Sequence, residues 1–383
     1  MKAEAHTLTG DILTNTAWIR GHCQIENGRI SQIEGAAVTE AEVLRDDSPK
    51  YIPGFIDLHT HGCAGVDLMM AGESVAHIAK HQLRFGTTSF LATTMTAPFE
   101  QIEQVFKDIH HYQTQMLTPY APTHARILGV HLEGPYINAH QLGAQPNFTR
   151  PAVLSEIQQL NAIVPILALT LAPECLSDQQ LIRELSDMGI RVQIGHSKGS
   201  YDDAVSALNH GASGFTHLFN AMSGLHHRQP GIVGAALAHA EFVELIPDLI
   251  HVHPGAIRAA LRAIPKLYCV TDSTSATGMP DGEYRLGSQT VHKCLGGVRL
   301  ADGTLAGSTL TMIDALKNLQ HIGLTVQEAS YRLSGVPAQY LGLNQIGVIK
   351  VGAVADILQI DRNLVLQHVY VRGQKIHPEG TPS

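Results

Sequence analysis

The chain has 383 residues, 44% of them hydrophobic and 16% charged, with a formal net charge of −8. That balance describes a globular protein with one large core and a satellite, and the absence of any long Lys/Arg block argues against nucleic acid and acidic membrane surfaces as partners. No apolar run reaches the ~18 residues of a membrane span, MKAEAHTLTGD lacks a basic-then-apolar leader, and five scattered cysteines without a Cys-x-x-Cys read as free thiols, so a cytoplasmic address is expected.

Residues 1 to about 50 carry short alternating runs such as TAWIRGHCQIENGRISQIEG, broken by Asn-Gly and Glu-Gly, which is the pattern of small antiparallel strands. The pattern returns at the other end, in IGVIKVGAVADILQIDRNLVLQHVYVRGQKI. Neither piece is long enough to bury a core alone. Residues 1–51 and 344–383 are therefore expected to form one small β-sandwich domain, with 52–343 inserted between them.

The middle has another rhythm, in which β-branched apolar runs alternate with amphipathic helical stretches. The runs lie at 52–58, 87–95, 127–133, 165–173, 191–196, 214–219, 244–252 and 267–272. Segments such as FEQIEQVFKDIHHY and YDDAVSALNH lie between them, and Gly86, Gly189 and Gly211 stand where helix C-caps belong. Eight strand–helix units in series indicate an α/β fold, a (β/α)8 TIM-like barrel whose active site gathers at the C-terminal strand ends. Beyond the last run, residues 273–307 read as loops and a hairpin over the barrel mouth, followed by two more helical stretches.

The first barrel run, IPGFIDLHTHG, ends on His59 and His61, and an extended backbone turns residues i and i+2 to one side. Later runs end on Glu133, His196 and Asp272, and the sixth carries His217. Nitrogen and oxygen donors with an open position suit a catalytic Zn²⁺ or Fe²⁺ and need no thiolate. Of the 23 histidines, others such as His110, His111, His124, His321 and His377 lie in polar surroundings and read as surface residues.

The His-x-His pair, HLEGPYIN, IGHSKG, THLFNAMSGLHHRQPG, VTDSTSATG and LAGSTLTM together resemble the amidohydrolase superfamily, and within it the N-acetylglucosamine-6-phosphate deacetylases. The resemblance runs from about residue 51 to the ADI at 355–357. It implies a distorted barrel with a sandwich built from both termini, and a principal metal held by Glu133, His196 and His217. The fourth run ends TLAPE without the lysine that many amidohydrolases carboxylate, and Glu133 takes that place. His59 and His61 are both retained, which leaves room for a second metal, so one or two ions per subunit are expected.

With that ligand set the metal makes water reactive near neutral pH, and Asp272 is the expected general base, returning the proton to the departing sugar amine. His253 is a weaker candidate helper. The resemblance assigns the phosphate or sugar to the backbone amides of Asn220 and Ala221 and to Arg228 and His251, with Leu310 in a segment that closes over the acetyl group. In the family Arg228 can come from a neighbouring subunit, so a homodimer or higher oligomer is implied. Two positions depart from the family pattern: Gln145 stands where a sugar-contacting histidine is usual, and Gln229 replaces a glutamate. The expected reaction is hydrolysis of N-acetyl-D-glucosamine 6-phosphate to glucosamine 6-phosphate and acetate. The alternatives are the galactosamine epimer, or another amidohydrolase acting on a non-phosphorylated amide. A non-catalytic descendant of the family would be expected to lack Asp272.

Overall fold

A computed structural model describes residues 5–115 and 123–376. His377 lies outside them. The eight expected barrel strands are present, and in chain order they are β1 (Phe55–Thr60), β2 (Thr87–Thr94), β3 (Arg126–Glu133), β4 (Ile166–Leu171), β5 (Arg191–Ile194), β6 (Gly214–Phe215), β7 (Phe242–Leu245) and β8 (Lys266–Cys269). The first six form one parallel sheet in the order β6-β5-β4-β3-β2-β1, while β7 and β8 pair separately. Every residue of β1 and β2 is buried, as befits strands covered on both faces. Helices cover the outside through periodic apolar faces, as in Phe99–Gln115, which buries Ile102, Val105, Phe106 and Ile109.

Two seams make the barrel irregular. Between β6 and β7 the chain is joined by Leu218 N–H to Glu244 O, 2.9 Å. Between β8 and β1 pairing begins only past the strand end, where Asp272 N–H donates to His59 O at 2.9 Å and Thr60 bridges Ser273. Below that point the carboxylate of Asp57 replaces the ladder, accepting from the backbone N–H of Thr271 at 3.2 Å and its hydroxyl at 2.5 Å.

The structure shortens or divides some expected elements. The run at 52–58 splits at Gly54, whose N–H donates to Asp356 O and where any Cβ would sit within 2.3 Å of the Thr88 hydroxyl oxygen. Lys50–Pro53 before it pairs with the terminal strands, and β1 follows it. The run at 244–252 stops early because Asp248 accepts from the N–H groups of Ile250 and His251 and turns the chain. The last helical stretch breaks at Ser334 into Val326–Leu333 and Gly335–Tyr340, since Pro337 has no N–H and crowds the carbonyl four residues back. Gly86, Gly189 and Gly211 all adopt positive φ, as helix-ending glycines do. Over the mouth lies a three-stranded antiparallel sheet, Gly282–Leu286, Gln289–Cys294 and Gly297–Arg299.

Both termini build one seven-stranded sheet. Its order is Gln374–Ile376, Leu366–Val371, Ile357–Ile360, Lys50–Pro53, His6–Leu13, Trp18–Glu26 and Arg29–Val38. Bonds from Ile30 N–H to Ala353 O, Ala355 N–H to Gly28 O and Gly373 N–H to Ala355 O bring its two outer hairpins together. They enclose a small core of Leu8, Ile12, Ile25, Ile30, Ile357 and Tyr370. Among the described residues, no helix is long and apolar enough to cross a membrane.

Candidate active site

The C-terminal ends of β1, β3, β5, β6 and β8 bring His59, His61, Glu133, His196, His217 and Asp272 together, all buried. Glu133 lies at the centre. Its Oε1 is 3.1 Å from His196 Nε2 and 3.2 Å from His217 Nε2, and its Oε2 is 3.2 Å from His61 Nε2. His59 Nε2 stands 3.4 Å from Glu133 Oε1 and 3.2 Å from His61 Nε2. Asp272 Oδ1 closes the far side, 3.3 Å from His61 Nε2 and 3.5 Å from His59 Nε2. Glu133 is thus shared by two three-residue sets, one with His59 and His61 and one with His196 and His217.

The outer nitrogens decide what this cluster presents. His61 Nδ1 faces Thr93 O at 3.1 Å, His196 Nδ1 faces Gln141 O at 2.8 Å and His59 Nδ1 faces the Glu244 carboxylate at 3.1 Å. Those acceptors require N–H at Nδ1, so neutral rings turn Nε2 lone pairs inward, toward one another and toward two carboxylates. Acceptors facing acceptors in a buried space need a cation among them. Without one the imidazoles take that role as proton carriers. Burial works against a charge on His59, but Glu133 and Asp272 outweigh it and hold its pKa well above the usual value. His61, opposed by burial in the same way, is held by hydrogen bonds to Asp272 and Glu133 at about 9. Burial pushes the Asp272 carboxyl up, yet the charge of His59 and the hydrogen bond from His61 bring it down to about 2. The donor set of imidazole nitrogens and carboxylate oxygens therefore fits a divalent Zn²⁺-like or Fe²⁺-like ion.

Backbone conformation aims these groups. His196, His217 and Asp272 all have positive φ, at 47°, 31° and 49°, which is uncommon for residues with a side chain and turns each side chain off the strand axis. It also explains why β6 ends at Phe215 although its apolar run continues to Phe219.

The cluster forms the floor of a cavity of about 350 Å³, whose lining includes His61, Glu133, Gln145, His196, His217, Asn220, Ala221, His251 and Asp272. Gln145 does not point freely at this space. Its Oε1 accepts from Thr96 N–H at 2.7 Å, and its Nε2 donates to Glu133 Oε2 at 2.5 Å, so it clamps the central carboxylate. Asn220 spends its backbone N–H on His217 O, and its side-chain amide donates to the His217 and Leu218 carbonyls. His251 holds Asp248 at 2.7 Å; burial lowers its pKa, and this bond outweighs burial to raise it.

Arg228 and Leu310 do not line the cavity. Arg228 is exposed, 3.0 Å from His227 Nε2, and Leu310 is buried, while the nearby Thr304, Leu305 and Gly307 line the cavity. His253 is exposed and caps the helix Pro254–Ala263 by accepting from Gly255 N–H, so it takes no part. Met95, Gly143, Ala144 and Leu286 also line the cavity and are absent from the sequence expectations. Gly143 and Ala144 come from a loop whose path no periodicity encodes, while Met95 directly follows β2 and Leu286 ends the strand Gly282–Leu286. Glu244 was equally absent, and its signal was a lone carboxylate opening an apolar strand run.

A model of the amidohydrolase family matches residues 51–376. The N-acetylgalactosamine-6-phosphate deacetylase of Escherichia coli O157:H7 is 37% identical, covering 95% of this chain and 97% of its own. The N-acetylglucosamine-6-phosphate deacetylase of Vibrio furnissii is also 37% identical, covering 93% and 90%. Among solved structures, N-acetylglucosamine-6-phosphate deacetylase from Pasteurella multocida superposes with a TM-score of 0.88 at 30% identity, over 97% of this chain and all of that one.

Proposed function

The chain belongs to the amidohydrolase family and, within it, to the N-acetylglucosamine-6-phosphate deacetylases, and on that footing we propose that it hydrolyses the acetamide of N-acetyl-D-glucosamine 6-phosphate to glucosamine 6-phosphate and acetate. The observation that carries the reading is the convergence of Glu133, His196, His217 and Asp272 on one cavity. Glu133, His196 and His217 would hold the principal divalent ion, zinc or iron, and His59 and His61 with Glu133 a second. When bound, such an ion lowers the pKa of water and polarises a carbonyl. Asp272, ionised at neutral pH, accepts the proton of the attacking water and then delivers it to the departing amine, which would otherwise be a poor leaving group. Gln145 keeps Glu133 in place during this exchange.

His251 and the turn at Asn220 and Ala221 stand on the side of the cavity proposed for the sugar phosphate. Arg228, exposed and outside the cavity of its own chain, fits a contribution across a homodimer, where its planar fork would engage two phosphate oxygens. The division of the chain into 52–343 as the catalytic barrel, with 1–51 and 344–383 as the appended domain, belongs to the same proposal, with Lys50–Pro53 crossing the first boundary. So does a cytoplasmic address, since a charged sugar phosphate does not pass a bilayer unaided.

The galactosamine epimer is the second reading. The relative named for that substrate is as similar to this chain, at 37% identity, as the one named for the glucosamine phosphate. The test is acetate release by the zinc- or iron-loaded protein from both hexosamine phosphates in parallel. Release from neither would refute the deacetylase reading. Arg228→Ala should raise KM for the phosphorylated sugar, and an equal loss on an unphosphorylated amide would point to a different amidohydrolase.

A further inference from the structure

Behind His59 lies a carboxylate that the reaction does not touch. Glu244, in β7, is fully buried and collects four donors. His59 Nδ1 at 3.1 Å and the backbone N–H of His217 at 3.4 Å reach its Oε2, while Gln193 Nε2 at 2.9 Å and the Tyr268 hydroxyl at 3.2 Å reach its Oε1. Gln193 has its amide oriented for this contact, because its Oε1 accepts from the Thr216 hydroxyl at 3.0 Å. The donors come from β1, from β5, from the turn after β6 and from β8, so one carboxylate gathers strands from both sides of the seam between β6 and β7.

His59 is also treated differently from its neighbours. The outer nitrogens of His61 and His196 rest on backbone carbonyls, whereas that of His59 rests on a carboxylate. A carboxylate behind an imidazole fixes its tautomer and makes the opposite nitrogen a stronger electron donor. We propose that Glu244 is a positioning residue acting through His59, holding its ring with hydrogen on Nδ1 and strengthening Nε2 as a ligand in the His59–His61–Glu133 set. The proposal rests on the reading of His59 as a cation ligand. It predicts an effect on binding that a carboxylate serving only to tie strands together would not give.

The test is a zinc-binding cycle on the full chain. Wild type, Glu244→Gln, His59→Ala and the double variant are loaded with Zn²⁺, titrated with a competing chelator and analysed for retained metal by mass spectrometry, with thermal unfolding to verify folding. Glu244→Gln should weaken the less tightly held zinc by about ten- to hundredfold, and by less than about twofold once His59 is absent. An equal loss in both backgrounds, or no loss in the wild-type background, would overturn the proposal. Failure of wild type to release acetate is a separate result that strikes the deacetylase reading alone.

Discussion

Asp272→Asn is the substitution that isolates the proposed proton transfer from everything else at the site. Asp272 has φ of 49°, a left-handed conformation that Asn tolerates about as well as Asp, so the backbone need not move. Asn also keeps an oxygen able to stand 3.3 Å from His61 Nε2. What it loses is charge and basicity. A positioned general base contributes about 10²–10⁴ in rate, which is about 2.7–5.4 kcal/mol of transition-state stabilisation. We therefore expect kcat for acetate release to fall by about that factor, with KM and bound metal little changed, because the Glu133–His196–His217 set is intact. Asp272→Ala should lose the same activity and, in addition, about 1 kcal/mol of stability in urea unfolding, since alanine is strained at that φ. A kcat for Asp272→Asn within tenfold of wild type, at unchanged metal content, would refute Asp272 as the base.

Three further outcomes follow from the geometry. Asp248→Asn removes the partner that outweighs burial at His251, so that imidazole should lose its proton at lower pH. KM for the phosphorylated sugar should then begin to rise at lower pH than in wild type, and an unshifted pH profile would remove His251 from phosphate binding. Gly307→Ala would place a methyl 2.6 Å from the Thr274 methyl and 2.9 Å from Asp272 O, at a φ of 59°. It should cost about 2–4 kcal/mol in urea unfolding, about 1 of it from the left-handed backbone and the rest from crowding; a loss below about 1 kcal/mol would show that the loop yields freely. Gln145→Leu strands the buried Thr96 N–H and one contact to Glu133, and should cost about 1–3 kcal/mol of stability. A rise in KM with stability unchanged would mean that Gln145 serves the sugar instead.

The residues of the candidate site are legible in the sequence because strand ends are. A β-branched run stops where its chain must turn, and His59, His61, Glu133, His196 and Asp272 stand at those stops. Strand lengths are harder to read: apolar residues continue past β6 as far as Phe219, but positive φ at His217 and Phe219 has already ended the ladder. Gln145 shows a different limit. The family resemblance put it at a sugar-contacting position, and only the folded chain reveals that both ends of its amide are taken by Thr96 and Glu133. Arg228 reads as a phosphate ligand within its motif, yet within one chain it lies at the surface. Glu244 could not be singled out because its meaning depends on donors contributed by three separate strands and the turn after β6.

The sheet made from both termini sets the order in which a growing chain can finish. Lys50–Pro53 pairs with His6–Leu13 on one side and with Ile357–Ile360 on the other, so its second edge has no partner until about 300 further residues have been synthesised. Through that interval the first sheet half carries an open edge, with Ile52 and its neighbours available to another chain's strand. Closing a loop of that length also places this pairing among the slow, non-local steps of folding. On the ribosome, then, the barrel's proposed metal ligands are all made before the appended sheet is closed, and truncation before Ile357 would release a chain that carries every proposed catalytic group beside an unpaired strand.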